Sequence, residues 1–316
     1  MSGSIGYDPT RRDPSRGAAP EAGSAGSGLP RRTAEYRPPA VIASPRAVGI
    51  IRGIVIVLVL LVTVFPLYWI VTTSFKTPKE VVLPTPTFVP REITFGNYQD
   101  VFAARVGLNF LNSIVVTAGS TILSIYLGFT AGYAIVRHRF RWNFNGIFLV
   151  WILVVKILPP VVLSVPLYEL FLGMELVNSR IGLVLVYQVY TLPYALWIIV
   201  GFLRSVPVEI EEAARIDGAS PGQILARIVA PLSAGGIAAT AVFTAIMAWD
   251  EFLFALLFTR RPRMFTVPLR IVNYITEYET EWGSLMAIGV LASVPLLLLT
   301  AFVYDRLTTG FTASLK

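Results

Sequence analysis

Side chains able to perform covalent chemistry are scarce in this sequence. It has no cysteine and a single histidine, His138, set among Arg137, Arg139 and Arg141. A lone histidine beside cations fits an interfacial residue better than a metal ligand or catalytic base. The four lysines are Lys76, Lys79, Lys156 and Lys316, and none follows a glycine, so there is no G-x-x-x-x-G-K loop to cradle nucleotide phosphates. No acid–base pair or activated nucleophile can be assembled, so no catalytic residue, metal site or cofactor of the chain's own is expected. What remains is charge in unlikely surroundings. Lys156 lies in an apolar run just before Leu158-Pro159-Pro160, and Asp250 and Glu251 follow Trp249 in another. Between two such runs sits EEAARIDGASPG, residues 211–222, a charged, glycine-hinged stretch too short to be a domain.

The elements around these residues are set by composition. Of 316 residues 55% are hydrophobic and 14% charged, with a mean hydropathy of +0.67. Typical soluble domains carry about 25% charged residues, so the solvent for this surface is a bilayer. Six runs have the roughly 20 apolar residues a helix needs to cross one: Ala47–Phe75, Phe110–Val136, Gly146–Phe171, Ile181–Leu203, Ile237–Phe258 and Ser284–Tyr304. An all-α integral membrane protein with six transmembrane helices over residues 46–316 is therefore expected. Residues 1–45, dense in Gly, Ser, Pro, Ala and Arg, cannot bury enough apolar surface to fold and read as a disordered cytoplasmic tail. The first apolar run starts too late and is too long for a cleaved signal peptide.

The net charge of +7 does not point to nucleic acid, because eight arginines crowd the N-terminal end, before and at the start of the first run. With both termini inside, sixteen Lys and Arg fall on the cytoplasmic side and nine outside, as the positive-inside rule requires. Arg260, Arg261 and Arg263 run against it. This orientation puts residues 204–236 in the cytoplasm. There Ser205 is expected to cap a helix with Pro207 in its first turn, and Gly218 to end it in a left-handed conformation. Ser220 then opens a second helix with Pro221 first and Gln223 at capping-box spacing, and Pro231 stops it. The result is a helix–glycine–helix elbow.

Glu212-Ala213-Ala214, Gly218 four positions later, then Ile228 and Pro231 resemble the EAA loop in membrane subunits of binding-protein-dependent ABC importers. The wider likeness, over about Ile50 to Lys316, is to the sugar branch around the maltose-transporter inner-membrane subunit. It includes RSVPVEIEEAARIDGAS, AWDEFLFALLFT, NSIVVT and the closing GFTASLK. The resemblance implies a type I ABC importer permease fold in a bacterial cell membrane. It implies that Glu212, Ala213, Ala214, Asp217, Gly218, Ile228 and Pro231 couple the chain to a cytoplasmic ATPase dimer, which uses the ATP. It also implies a second homologous permease subunit, an extracytoplasmic solute-binding lipoprotein, a sugar or polyol substrate and surrounding membrane lipid. The chain departs from the pattern at Ala230, where Leu usually precedes the proline, and at Asp250, where Asn usually follows the tryptophan. A permease for amino acids or phosphate shares the elbow, and a secondary transporter shares the bundle; the long first outer loop favours sugars.

Charge and amides inside spans are costly and mark pathways, so Lys156, Gln188, Tyr190, Asp250 and Glu251 are the candidate translocation residues. At 1.5 Å per residue, Lys156 and Asp250 lie roughly 15 to 20 Å deep in a core about 30 Å thick. Two unpaired charges there favour an ion pair between Lys156 and Asp250 or Glu251.

Overall fold

The computed structural model describes residues 45–104, 106–138, 140–141, 144–275 and 280–313, with side-chain surroundings from Val48 to Ala301. The tail reading for residues 1–45 falls almost wholly outside the described residues. The chain divides at Ile56; of the first unit only the opening turns of α1 are described. The described residues are helical and contain no strand.

Helix α1 (Pro45–Ser74) leads through the short α2 (Pro78–Val81) and α3 (Gly96–Ala103) into α4 (Val106–Arg137). Then come α5 (Phe144–Ile157), α6 (Pro160–Gly173), α7 (Arg180–Val186) and α8 (Gln188–Leu203). The elbow holds α9 (Val208–Ile216), α10 (Pro221–Ile224), a π turn at Leu225–Val229 and α11 (Ala230–Leu232). Helices α12 (Ala234–Trp249), α13 (Leu253–Phe258), α14 (Val267–Val272) and α15 (Trp282–Ala313) complete the chain.

Among the described residues three helices, within α1, α4 and α15, are continuous and apolar enough to cross a bilayer, and up to six crossings result if each of three bent pairs counts as one. The third, fourth and fifth runs, each expected as one span, are broken in the structure, and the third bent pair is the elbow arm Pro221–Leu232 with α12, at 77°. α5 and α6 meet at 98°. Pro159 lacks an N–H and its ring clashes with the carbonyl four residues back, while Leu158 before it is pushed out of helical geometry. Pro66, Pro166, Pro193 and Pro295 stay inside helices. α7 and α8 bend by 47° at Tyr187, where the Gln188 side-chain amide donates to the Val184 carbonyl (2.9 Å) and so enters the ladder. The fifth run breaks at 250–252 between α12 and α13.

The centre is the contact of α4 with α8. Ser120, Ser124, Gly128 and Gly132, four apart, are all buried along one stripe of α4. A Cβ on Gly128 would stand 3.2 Å from the Leu196 nitrogen, so the two backbones nearly touch there. Small residues at this spacing are how membrane helices approach when lipid is as apolar as their side chains. Across the seam Ser124 Oγ lies within hydrogen-bond distance of Thr191 Oγ1 (2.6 Å) and Gln188 Oε1 (2.7 Å), sharing its one proton between them. At the other end of α4, Asn109 and Asn112 donate to the carbonyls of Pro262, Arg263 and Phe265, and the Ser113 hydroxyl accepts the Val267 N–H (2.8 Å). Asn112 and Ser113 of the NSIVVT motif, in the second turn of α4, thus pin the loop before α14.

Candidate functional site

The elbow forms largely as its local chemistry dictates. Gly218 takes φ +82°. The Ala219 N–H reaches back to the Ala214 carbonyl (2.9 Å) and the Gly218 N–H to the Arg215 carbonyl (3.1 Å), a Schellman end that satisfies two orphan carbonyls of α9. Ser220 caps α10 in a reciprocal box with Gln223, and Pro221 stands first. One expectation fails. Ser205 caps nothing: its hydroxyl donates to the Phe202 carbonyl (2.7 Å), and α9 starts behind Pro207 without a side-chain cap. The second arm ends at Leu232, one residue past Pro231, and turns by 77° into α12. The π turn at Leu225–Val229 loosens the ladder just where the proline's ring would meet the Arg227 carbonyl.

One face of the elbow is bonded inward and the other is bare. Glu211, 1% exposed, accepts from Arg137 Nε (2.7 Å) and the Tyr133 hydroxyl (2.8 Å). Arg137 also donates to the carbonyls of Leu203 (3.3 Å) and Val206 (2.8 Å), so the end of α4 grips both the end of α8 and the chain entering α9. Ala214, Ala219, Leu225, Ile228 and Ala230 pack against Phe129, Ile199, Leu203, Ile224 and Val229. Glu212, Ala213, Asp217, Gly218 and Pro231 are exposed, and Ile216 is 87% exposed. Ile228 therefore belongs to the inner face and the other motif residues mostly to the outer one.

The interior candidates do not meet as expected. Lys156 holds its ammonium 3.4 Å from the centre of the Tyr194 ring, and Arg137–Glu211 is the one ion pair within 4 Å among the described residues. The expected Lys156–carboxylate pair is absent for two physical reasons. A tyrosine face supplies attraction to a desolvated cation. Glu251, 7% exposed, is already engaged by the N–H groups of Phe254 (2.9 Å) and Ala255 (3.2 Å), where it caps α13. Gln188 spends its amide on Val184, Ser120 and Ser124. Tyr190, half-buried, sets its ring edge-on to Phe254, with centroids 5.2 Å apart. Asp250 is exposed at the C-terminal end of α12, where the helix dipole disfavours it.

Residues 120–312 match the family described as the binding-protein-dependent transport system inner membrane component. The chain is 35% identical over 250 residues to the sulfoquinovosyl glycerol transport system permease protein SmoH of Agrobacterium fabrum, covering 79% of this chain and 87% of that one. This protein belongs to that family. It is a membrane-embedded, multi-pass transport permease. A second relative is the diacetylchitobiose uptake system permease protein DasC of Streptomyces coelicolor, 30% identical over 251 residues, 79% of this chain and 90% of that one. A crystal structure of a bacterial ABC transporter importing the acidic polysaccharide alginate superposes with a TM-score of 0.72, at 19% identity over 82% of this chain and 96% of that one. The permease therefore has the type I ABC importer fold.

Two residues of the permease's elbow were not singled out in the sequence. Glu211 reads there only as an acid favoured by the dipole of α9, and its partner lies 74 positions away. Ile216 is one more apolar residue until the fold leaves it bare. Its signal was its place between charged Arg215 and Asp217, at the tip of an otherwise polar helix end.

Proposed function

We propose that the permease forms half of the translocation path for a sugar, polyol or oligosaccharide and is driven by a separate cytoplasmic ATPase docked on the 204–236 elbow. The observation that carries this is the bare outer face of α9. Ile216 exposes 87% of its surface to water beside the small, open Ala213 and Gly218. A large aliphatic left bare on a rigid, capped helix end is what a buried contact with a partner looks like without that partner. The relatives named for diacetylchitobiose and sulfoquinovosyl glycerol transport, and the likeness to an alginate importer, support the sugar class.

In this reading the termini lie in the cytoplasm. The full importer holds a second homologous permease, an ATPase dimer that supplies all ATP chemistry, and a solute-binding lipoprotein outside. The elbow moves with the ATPase as a rigid body. Glu211 and Arg137 pass that movement to α4, and the α4–α8 seam carries it to the break at Tyr187 and toward Gln188, Tyr190 and Lys156. Asp250, exposed and unpaired, and the Lys156–Tyr194 stack are the candidate lining; Glu251 fixes α13 behind them.

The test is reconstitution of the four components in proteoliposomes, with ATP hydrolysis and uptake followed for a panel of sugars, amino acids and phosphate. Sugar-dependent stimulation that Ile216→Ser abolishes is the expected result. Stimulation by an amino acid or phosphate alone would remove the sugar class, and full stimulation in Ile216→Ser would remove the docking role.

A further inference from the structure

A cavity lies at the opposite end of the permease from the elbow, between α1, α2 and α15. Its volume is about 230 Å³, and Trp69, Thr73, Lys76, Glu80, Thr87 and Trp282 line it. The chemistry of this lining is unusual for a helix end. Lys76 is only 3% exposed and does not reach for water: its ammonium donates to the Thr87 carbonyl and sits 4.4 Å from the Trp69 ring centre. An ammonium has three donors, so two remain. Glu80, 7% exposed, accepts from the Thr87 hydroxyl (2.6 Å) and the Arg91 N–H (3.0 Å), which leaves acceptor sites on its carboxylate. Thr73 is 5% exposed, and its Oγ1 has no hydrogen-bond partner. Trp282 keeps 48% of its surface free.

Tryptophans near helix ends ordinarily anchor a span at the membrane interface, and lysines there ordinarily snorkel. Lys76 turns inward instead, and the carboxylate beside it opposes the phosphate of a lipid headgroup. A cation, an anion and a hydroxyl around a small cavity, with indole faces on its wall, suit a neutral ligand that carries hydroxyls on an apolar ring. We propose that this cavity is an outer subsite for one neutral sugar ring, taken up on its way between the binding protein and the path. Lys76 and Thr73 would donate to ring oxygens, Glu80 would accept from a hydroxyl, and Trp282 would cover a C–H face. The volume suits one ring and excludes an oligosaccharide chain. This rests on the sugar-importer reading and on the orientation that puts residues 76–105 outside.

The test is equilibrium binding of tritiated glucose and tritiated galactose to the whole nucleotide-free importer, without binding protein, by scintillation proximity. Sodium phosphate serves as a competitor, and sugar import is measured in the same preparations. Saturable binding is expected, weakened roughly three- to tenfold by Thr73→Val, which removes one hydrogen bond, and about tenfold by Trp282→Leu. Wild-type binding in both variants, or no saturation by either sugar while sugar import persists, overturns the subsite alone. Displacement by phosphate overturns it in favour of an anion site. An importer that carries no sugar at all overturns the reading on which it rests.

Discussion

Replacing Glu211 by alanine should loosen the root of the elbow more than any other single change in it. The side chains of Glu211 and Arg137 are 1% and 9% exposed, and their contact is 2.7 Å. Removing one member of a buried pair costs roughly 3–5 kcal/mol, because the other is left charged and unpaired. Arg137 keeps its bonds to the Leu203 and Val206 carbonyls, so the lower end, about 3 kcal/mol, is expected. Glu211→Gln keeps the shape and an acceptor for Arg137, so about 1–2 kcal/mol should suffice there. The double variant Arg137→Met, Glu211→Leu removes both charges and should be less destabilised than Glu211→Ala, although it takes a partner from the Val206 carbonyl and one from the Tyr133 hydroxyl, while the Leu203 carbonyl keeps the Val206 N–H. The assay is reversible unfolding of the purified permease in mixed micelles, with ATP hydrolysis of the reconstituted importer alongside. Glu211→Ala within about 1 kcal/mol of wild type, or a double variant less stable than the single one, would refute the argument that a buried charge is being held. If the pair transmits motion, the double variant should fold and yet lose stimulated ATP hydrolysis.

Gly218→Val should insert and fold but uncouple, since φ +82° costs a β-branched residue on the order of 1–2 kcal/mol and the added bulk stands on an exposed face; normal substrate-stimulated ATP hydrolysis would contradict it. Gly236→Ala should destabilise by about 1–3 kcal/mol in the same unfolding assay, because the new methyl would meet the Phe202 ring at 2.3 Å. Lys156→Met should leave folding intact and slow transport, as the Tyr194 stack loses its cation; unchanged uptake would remove Lys156 from the path. The Glu80 carboxyl is held below its ordinary value of 4.5, chiefly by the Thr87 hydroxyl, with the Arg91 N–H and the Lys76 charge adding to this. A depressed folded value means its contribution is present above the unfolded pKa and lost as pH falls through the folded one. Hydrogen exchange at the Arg91 amide, corrected for pH, should therefore quicken below that window and stay slow at neutral pH.

What the sequence disclosed about this site depended on distance along the chain. The Gly218 turn and the Ser220–Gln223 box are made within six residues, and the residues that make them name the geometry. Glu211 gave no such clue, since an arginine 74 positions away decides what it does. The prolines show the same limit. Pro66, Pro166, Pro193 and Pro295 sit inside helices, whereas Pro159 and Pro160 together turn the chain by 98°, and counting prolines does not separate the two cases. The Ser120, Ser124, Gly128, Gly132 spacing was readable, but it gains meaning only with α8 against it. Lys156 was expected to pair with Asp250 or Glu251; Lys156 found its answer in a ring face and Glu251 in two backbone N–H groups, and Asp250 is exposed.

These separate answers bear on how movement could cross the permease. Had Lys156 and Glu251 been paired, the interior would have been tied by an ion pair costly to break. A cation on a ring face can slide or leave at a cost of about 0.5–2 kcal/mol, so the interior contact is soft. The elbow end is the reverse: Glu211, Arg137, Tyr133 and two carbonyls form a satisfied network that does not yield cheaply. Between them α4 and α8 meet backbone to backbone at Gly128, a contact that transmits displacement because it has no side chain to absorb it. A stiff root, a close-packed seam and a soft interior are the order in which a lever should be built if force enters at α9 and is released at the path. The order also makes a commitment: weakening the root should abolish coupling before it abolishes binding, and weakening the Lys156 stack should do the opposite.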